Sequence, residues 1–204
     1  EGAEWRGSGR SIAGFDLVDG HRQFAFSTAA RSMLASRDTR SFAVYNDHEM
    51  RSYDVATLDD ATTDASAFVG AEHIDLERID RVWSDATLDT FVAAGLDLDR
   101  RPALVTLRRH ALAFTIVERA PIGADDVDVE RCLVLSRTPD GVSLHDLAGA
   151  RRALASNASN ASNAPSASNT SHASNATFSN GRALCIINVV LHELRDGVVS
   201  FVEG

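Results

Sequence analysis

The chain has 204 residues, 44% of them hydrophobic, with a formal charge of −9 and a pI near 5.2. That is apolar material enough for a sizeable core, while no apolar run reaches the ~20 residues that cross a bilayer as a helix. The acidic balance repels phosphate backbones, which excludes nucleic acid as a default partner and leaves protein partners or a homo-oligomer.

All 20 basic residues are Arg, a multi-donor side chain suited to bidentate carboxylate pairing. In the first ten residues Gly7-Ser8-Gly9-Arg10 has glycines for a phosphate loop. It precedes a predicted strand instead of linking strand to helix, and reads as a flexible arm. FDLVDGHRQFAFST then sets Asp19-Gly20 between β-prone runs, the signature of a tight hairpin, here about 12–26. STAARSMLAS predicts a short Ala-rich helix over 27–36. Strands near 41–45 and 51–57 flank Asn46-Asp47-His48-Glu49, a turn whose side chains suit both metal binding and plain turn chemistry.

EHIDLERIDRVW places Leu76, Ile79, Val82 and Trp83 at helical spacing, and a second run carries Leu88, Phe91 and Val92 up to Gly95. Together they predict a helix pair over 72–95. PALVTLRRHALAFTIVE predicts strands near 103–107 and 111–118. Arg100, Arg101, Arg108 and Arg109 bracket the first of these and form candidate contacts for an anion or an acidic partner. Intramolecular pairing with the abundant Asp is the simpler expectation. Asp126, Asp128 and Glu130 alternate as a solvated strand face would. CLVLSRTPDGVSLHDL predicts a hairpin at 131–147, and HDLAGARRALA a last short helix over 145–154.

ASNASNASNAPSASNTSHASNAT follows, with a triplet period that matches neither the sheet repeat of 2 nor the helical 3.6. It predicts a low-complexity insertion over 155–180 that cannot bury enough area to offset its ordering entropy. Four sequons fall in it, at Asn157, Asn160, Asn169 and Asn175, which are glycan sites if the chain is secreted. A third Asp-Gly hairpin, 184–202, closes the chain. Domains are therefore expected as 1–154, a main α+β unit; 155–180, the insertion; and 181–204, a hairpin completing the main sheet. The expected fold class is α+β with a largely antiparallel sheet.

VSLHDL and VVLHEL echo each other. His145 with Asp146, and His192 with Glu193, are candidate ligands for a divalent metal such as zinc, or an acid–base pair. Adjacent strand residues point to opposite faces, which divides each pair. Cys132 and Cys185 are candidates for one disulfide, with two buried thiols as the other reading. The chain opens at Glu1 without Met and stops after an apolar run, as a processed product or trimmed chain would.

These observations favour a non-catalytic structural or binding subunit of a larger assembly, capsid-like, complexed or at a surface, with no cofactor. An extracellular, surface or virion setting fits better than a cytoplasmic one. The alternatives are a metal-dependent enzyme built on the two His–carboxylate pairs, and a glycosylated extracellular recognition domain.

Overall fold

The computed structural model describes residues 2–6, 9–15, 18, 20–58, 66–138, 141–156, 175–187, 190–195 and 198–201. Within them the chain forms nineteen strands and two 3-10 turns. All strand pairings are antiparallel and fall into five separate sheets, each a run of consecutive strands.

The first sheet holds β1 (Gly2–Arg6), β2 (Gly9–Phe15) and β3 (Arg22–Thr28). The second holds β4 (Ser32–Ala35), β5 (Ser41–Tyr45), β6 (Glu49–Asp54) and β7 (Ser66–Gly70). The third holds β8 (Leu76–Ser84), β9 (Thr90–Asp97), β10 (Pro102–His110) and β11 (Ala113–Ala120). The fourth holds β12 (Asp126–Asp128), β13 (Leu133–Thr138), β14 (Gly141–Asp146) and β15 (Arg151–Ser156). The fifth holds β16 (Asn175–Ser179), β17 (Arg182–Ile187), β18 (Val190–Arg195) and β19 (Val198–Phe201).

Four apolar clusters stack these sheets face to face in chain order. Ile12 and Phe24 of the first sheet meet Phe42, Val44 and Tyr53 of the second, with Phe24 stacked on Phe42 at 5.8 Å and Phe42 on Tyr53 at 5.0 Å. Met50 and Val69 then meet Ile79, Phe91 and Leu107. Trp83, Val92 and Leu104 meet Val127 and Val134. Leu135, Val142 and Leu144 meet Ala183, Cys185 and Leu194. Stacked four-stranded meanders of this kind are the building pattern of β-propeller blades.

The predicted hairpins have their counterparts in β2–β3, β13–β14 and β18–β19, and the second pair of strands in β10–β11. The helices do not form, and the α+β class gives way to a nearly all-antiparallel β protein with 66% strand and 5% helical residues. Residues 27–36 cover the end of β3 and all of β4, 145–154 cover the β14–β15 turn and most of β15, and 72–95 become a 3-10 turn, Ala71–Ile74, followed by β8 and β9.

The misleading signal in 72–95 has a specific cause. Strand β8 pairs with β9 through two β-bulges, at Glu77 and Asp80. Each bulge adds one residue between inward positions, so the buried residues recur as Leu76, Ile79 and Val82. A period of 2 is thereby stretched to 3, close to a helical repeat. Gly95 is not a helix stop but a close-approach position on β9. A Cβ there would collide with the carbonyl oxygen of Arg78, inside the bulged stretch. Strands β5 and β9 add a second source of ambiguity. Both of their faces are covered, so Ser41–Tyr45 and Phe91–Gly95 are continuously buried and show no alternation.

The 181–204 segment pairs within the fifth sheet, together with β16, and shares no ladder with the other four sheets among the described residues. At the insertion, β15 runs to Ser156 and β16 begins at Asn175. The sequons at Asn157, Asn160 and Asn169 lie outside the described residues, and Asn175 opens β16.

Candidate functional site

An open groove of about 1140 Å³ crosses the first three sheets. Gln23 of β3 lines it on the first sheet, and four segments of the second and third sheets build the rest.

In the β4–β5 turn, the Ser36 hydroxyl donates to Asp38 Oδ1 at 2.7 Å and the backbone N–H of Arg40 donates to the same oxygen at 3.1 Å. These donors, the hydroxyl first, hold the Asp38 carboxyl below its usual range. Thr39 sits at φ 59, a left-handed position. In the β8–β9 turn, Asp85 accepts from the N–H groups of Asp89 and Thr90 at 3.0 and 3.1 Å. The Thr87 hydroxyl donates to Asp89 Oδ2 at 2.8 Å, and buried Leu88 turns the corner at φ 60. The two turns meet where the N–H of Arg37 donates to the Ala86 carbonyl at 2.8 Å.

The third segment runs from Asp54 through the 3-10 turn Val55–Thr57 to Leu58, and the fourth is Arg109 on β10. Arg109 is the floor, with its side chain 11% exposed. It donates to Ser52 Oγ at 2.7 Å and to Asp54 Oδ1 at 3.2 Å, and lies 3.9 Å from Asp89. The Ser41 hydroxyl donates to Asp54 as well, at 3.1 Å. A guanidinium from the third sheet is thus neutralised by acids on the second and third, while Asp38, Asp54 and Asp89 keep exposed faces toward the groove.

Of the four bracketing arginines, Arg109 alone lines this groove. Arg108 is its exposed neighbour on β10. Arg100 and Arg101 occupy the β9–β10 turn, where Arg100 pairs with Glu77 at 3.3 Å and the N–H of Arg101 donates to Asp97 at 2.8 Å. The cluster therefore splits between opposite ends of β10, and Arg100 and Arg109 carry intramolecular ion pairs.

The two His–carboxylate pairs lie on different sheets. His145 lies on β14 of the fourth sheet and His192 on β18 of the fifth, each the third strand of its own sheet. The echo between VSLHDL and VVLHEL marks equivalent strands in successive sheets. Buried His145 has Nδ1 3.1 Å from the Gly149 carbonyl, and Asp146 accepts the N–H of Ala150 at 2.8 Å. Glu193 is buried between Arg182 Nη2 at 2.5 Å and Arg195 Nε at 3.0 Å, which hold its carboxyl down to about 2. It is occupied as an ion-pair partner. Among the described residues no group of three His, Cys, Asp or Glu is placed to hold a metal ion.

Cys132 and Cys185 are free thiols, so the disulfide is not formed. Cys132 sits exposed in the β12–β13 turn at φ 57, whereas Cys185 is buried on β17 of the next sheet, where burial pushes its thiol up to about 11. The Asn46–Glu49 turn serves the backbone. Asn46 Oδ1 accepts the N–H groups of His48 and Glu49, and the carbonyls of Asp47 and His48 accept from Ile79 and Ala71.

One residue expected on a solvated face has a different place. Asp126 accepts from the Trp83 indole N–H at 3.0 Å, the Thr177 hydroxyl at 2.8 Å and the Phe178 N–H at 2.8 Å. It joins the first strands of the third, fourth and fifth sheets. The groove acids Asp38, Asp54 and Asp89 were also not singled out by sequence. The one signal for them is the alternation Ser36-x-Asp38 and Asp85-x-Thr87-x-Asp89, side chains that bond their own backbone in turns.

No protein-family model matches this chain, and no curated protein does. Among solved structures, the acylaminoacyl peptidase of Pyrococcus horikoshii is similar over 96% of this chain, with a TM-score of 0.49 and 10% sequence identity, and the chain spans 35% of that protein's length.

Proposed function

We propose that this chain is a non-catalytic binding subunit of a larger assembly, and that it holds a segment of a protein partner in the groove across its first three sheets. The observation that supports this most is the make-up of the groove. It is open, its walls are turns of the second and third sheets with Gln23 of the first beside them, and its volume of about 1140 Å³ exceeds the ~300–1,000 Å³ of small-molecule sites. The hydroxyl oxygens of Thr39, Thr57 and Thr87 and the carboxylates of Asp38 and Asp89 are exposed there as acceptors for a partner's N–H groups. Val55 and Leu58 add apolar surface between them. The net charge of −9 favours a protein partner over a phosphate backbone.

Sedimentation and cross-linked affinity capture from the native source test the proposal. A defined assembly or a recovered partner is expected, and filling the groove with Thr57→Trp and Thr87→Trp abolishes it while leaving the fold intact. A clean monomer at high concentration with no partner recovered contradicts the reading.

A further inference from the structure

A second concavity, of about 290 Å³, opens at the seam between the fourth and fifth sheets. Its volume is at the small end of ligand sites, ~300 Å³. The floor is apolar, with Leu144, Ala183 and Leu194 all buried and Leu133 half-buried. The rim carries two guanidiniums, Arg182 and Arg195, with side chains 46% and 71% exposed. Glu193, the one acid in the lining, is 6% exposed and takes one donor from each arginine. Arg182 keeps Nε and one Nη, and Arg195 keeps both Nη groups, without a partner among the described residues. Nearby Arg131 donates to the Gly181 carbonyl and pairs with Asp128, so the two together add no net charge at the seam.

The buried carboxylate thus neutralises one charge of two and fixes the position of both forks. What remains is one net positive charge and several N–H donors lining the same cavity as the apolar side chains. Guanidinium forks of this kind match a carboxylate, and the floor matches a short hydrocarbon tail. We propose that this seam is a binding site for small aliphatic carboxylates, with the carboxylate on Arg182 and Arg195 and the tail on Leu133, Leu144, Ala183 and Leu194.

Three probes separate charge from tail. Sodium hexanoate has both, hexanamide has the tail alone, and sodium chloride at equal ionic strength has the charge alone. With methyl resonances of Leu144, Ala183 and Leu194 as the readout, hexanoate is expected to give saturable shifts in the millimolar range. Hexanamide should bind about tenfold or more weakly, and chloride should give no saturable shift. Arg195→Gln removes an exposed side chain and leaves the Arg182–Glu193 pair in place. It should weaken hexanoate about tenfold or more, while Arg108→Gln on the third sheet leaves binding unchanged. The proposal is overturned if hexanoate gives no saturation, if hexanamide binds equally well, or if Arg195→Gln binds like the parent.

Discussion

At Glu193 two guanidiniums hold the carboxyl down to about 2, whereas a glutamate in an unfolded chain titrates near ~4.3. The folded state therefore releases this proton more readily than the unfolded state does. The resulting stabilisation is fully present above the unfolded value and is lost as pH falls toward 2. Urea midpoints of the parent and Glu193→Gln, compared at pH 6, 4 and 2.5, should show a gap that narrows steadily with acid. A constant gap would mean that the Arg182–Glu193–Arg195 cluster adds nothing through its charge. The two cysteines offer a second contrast at this scale. Iodoacetamide should modify Cys132 in the native protein and reach Cys185, buried and with its thiol near 11, only on unfolding. Mass spectrometry then counts one label before denaturation and two after. Asp126 carries a cost of a different kind. Asp126→Ala leaves the Trp83 indole, the Thr177 hydroxyl and the Phe178 N–H without their acceptor, and should cost about 2–4 kcal/mol in denaturant melts.

Between elements, the turns decide what could be foreseen. Asp-Gly pairs mark three hairpins in the sequence because glycine takes positive φ without strain. Most other tight turns place ordinary residues there instead: Thr39, Leu88, Arg100, Ala111 and Cys132 all lie between 51° and 61°. A reading that looks for glycine passes over those corners, and without its corners a buried strand such as Phe91–Gly95 is indistinguishable from a helix segment. In β8 the bulges at Glu77 and Asp80 supplied a false helical spacing. The groove was hidden for another reason. Ser52, Asp54, Asp89 and Arg109 come from two strands and a turn, and no local pattern announces their meeting. The bulge geometry itself is testable at Gly95. Gly95→Ala drives a methyl into the Arg78 carbonyl, and should destabilise by about 3 kcal/mol or more as β8 shifts away. A neutral outcome would show that the β8–β9 ladder is not built as described.

At the scale of the molecule, the strand ladders among the described residues stop at the edge of each sheet, and the seams are held by side chains and a few backbone bonds such as Arg37 N–H to the Ala86 carbonyl and Ile79 N–H to the Asp47 carbonyl. Stability in such a stack behaves approximately as a sum of unit terms and nearest-neighbour seams. Phe42→Ala removes the ring that stacks on both Phe24 and Tyr53. It should cost about 3–5 kcal/mol and raise hydrogen exchange in the first and second sheets, with the fifth unaffected. The position of residues 157–174 has a consequence for the same reason. They join β15 to β16, strands that belong to different sheets, so a peptide bond broken between them severs no ladder among the described residues. The two pieces of a nicked chain would stay paired through Leu144, Ala155, Ala183 and Leu194 and through Asp126 with Thr177 and Phe178. Intact, the covalent link acts as an effective concentration. Nicked, the same protein becomes a bimolecular complex that falls apart on dilution.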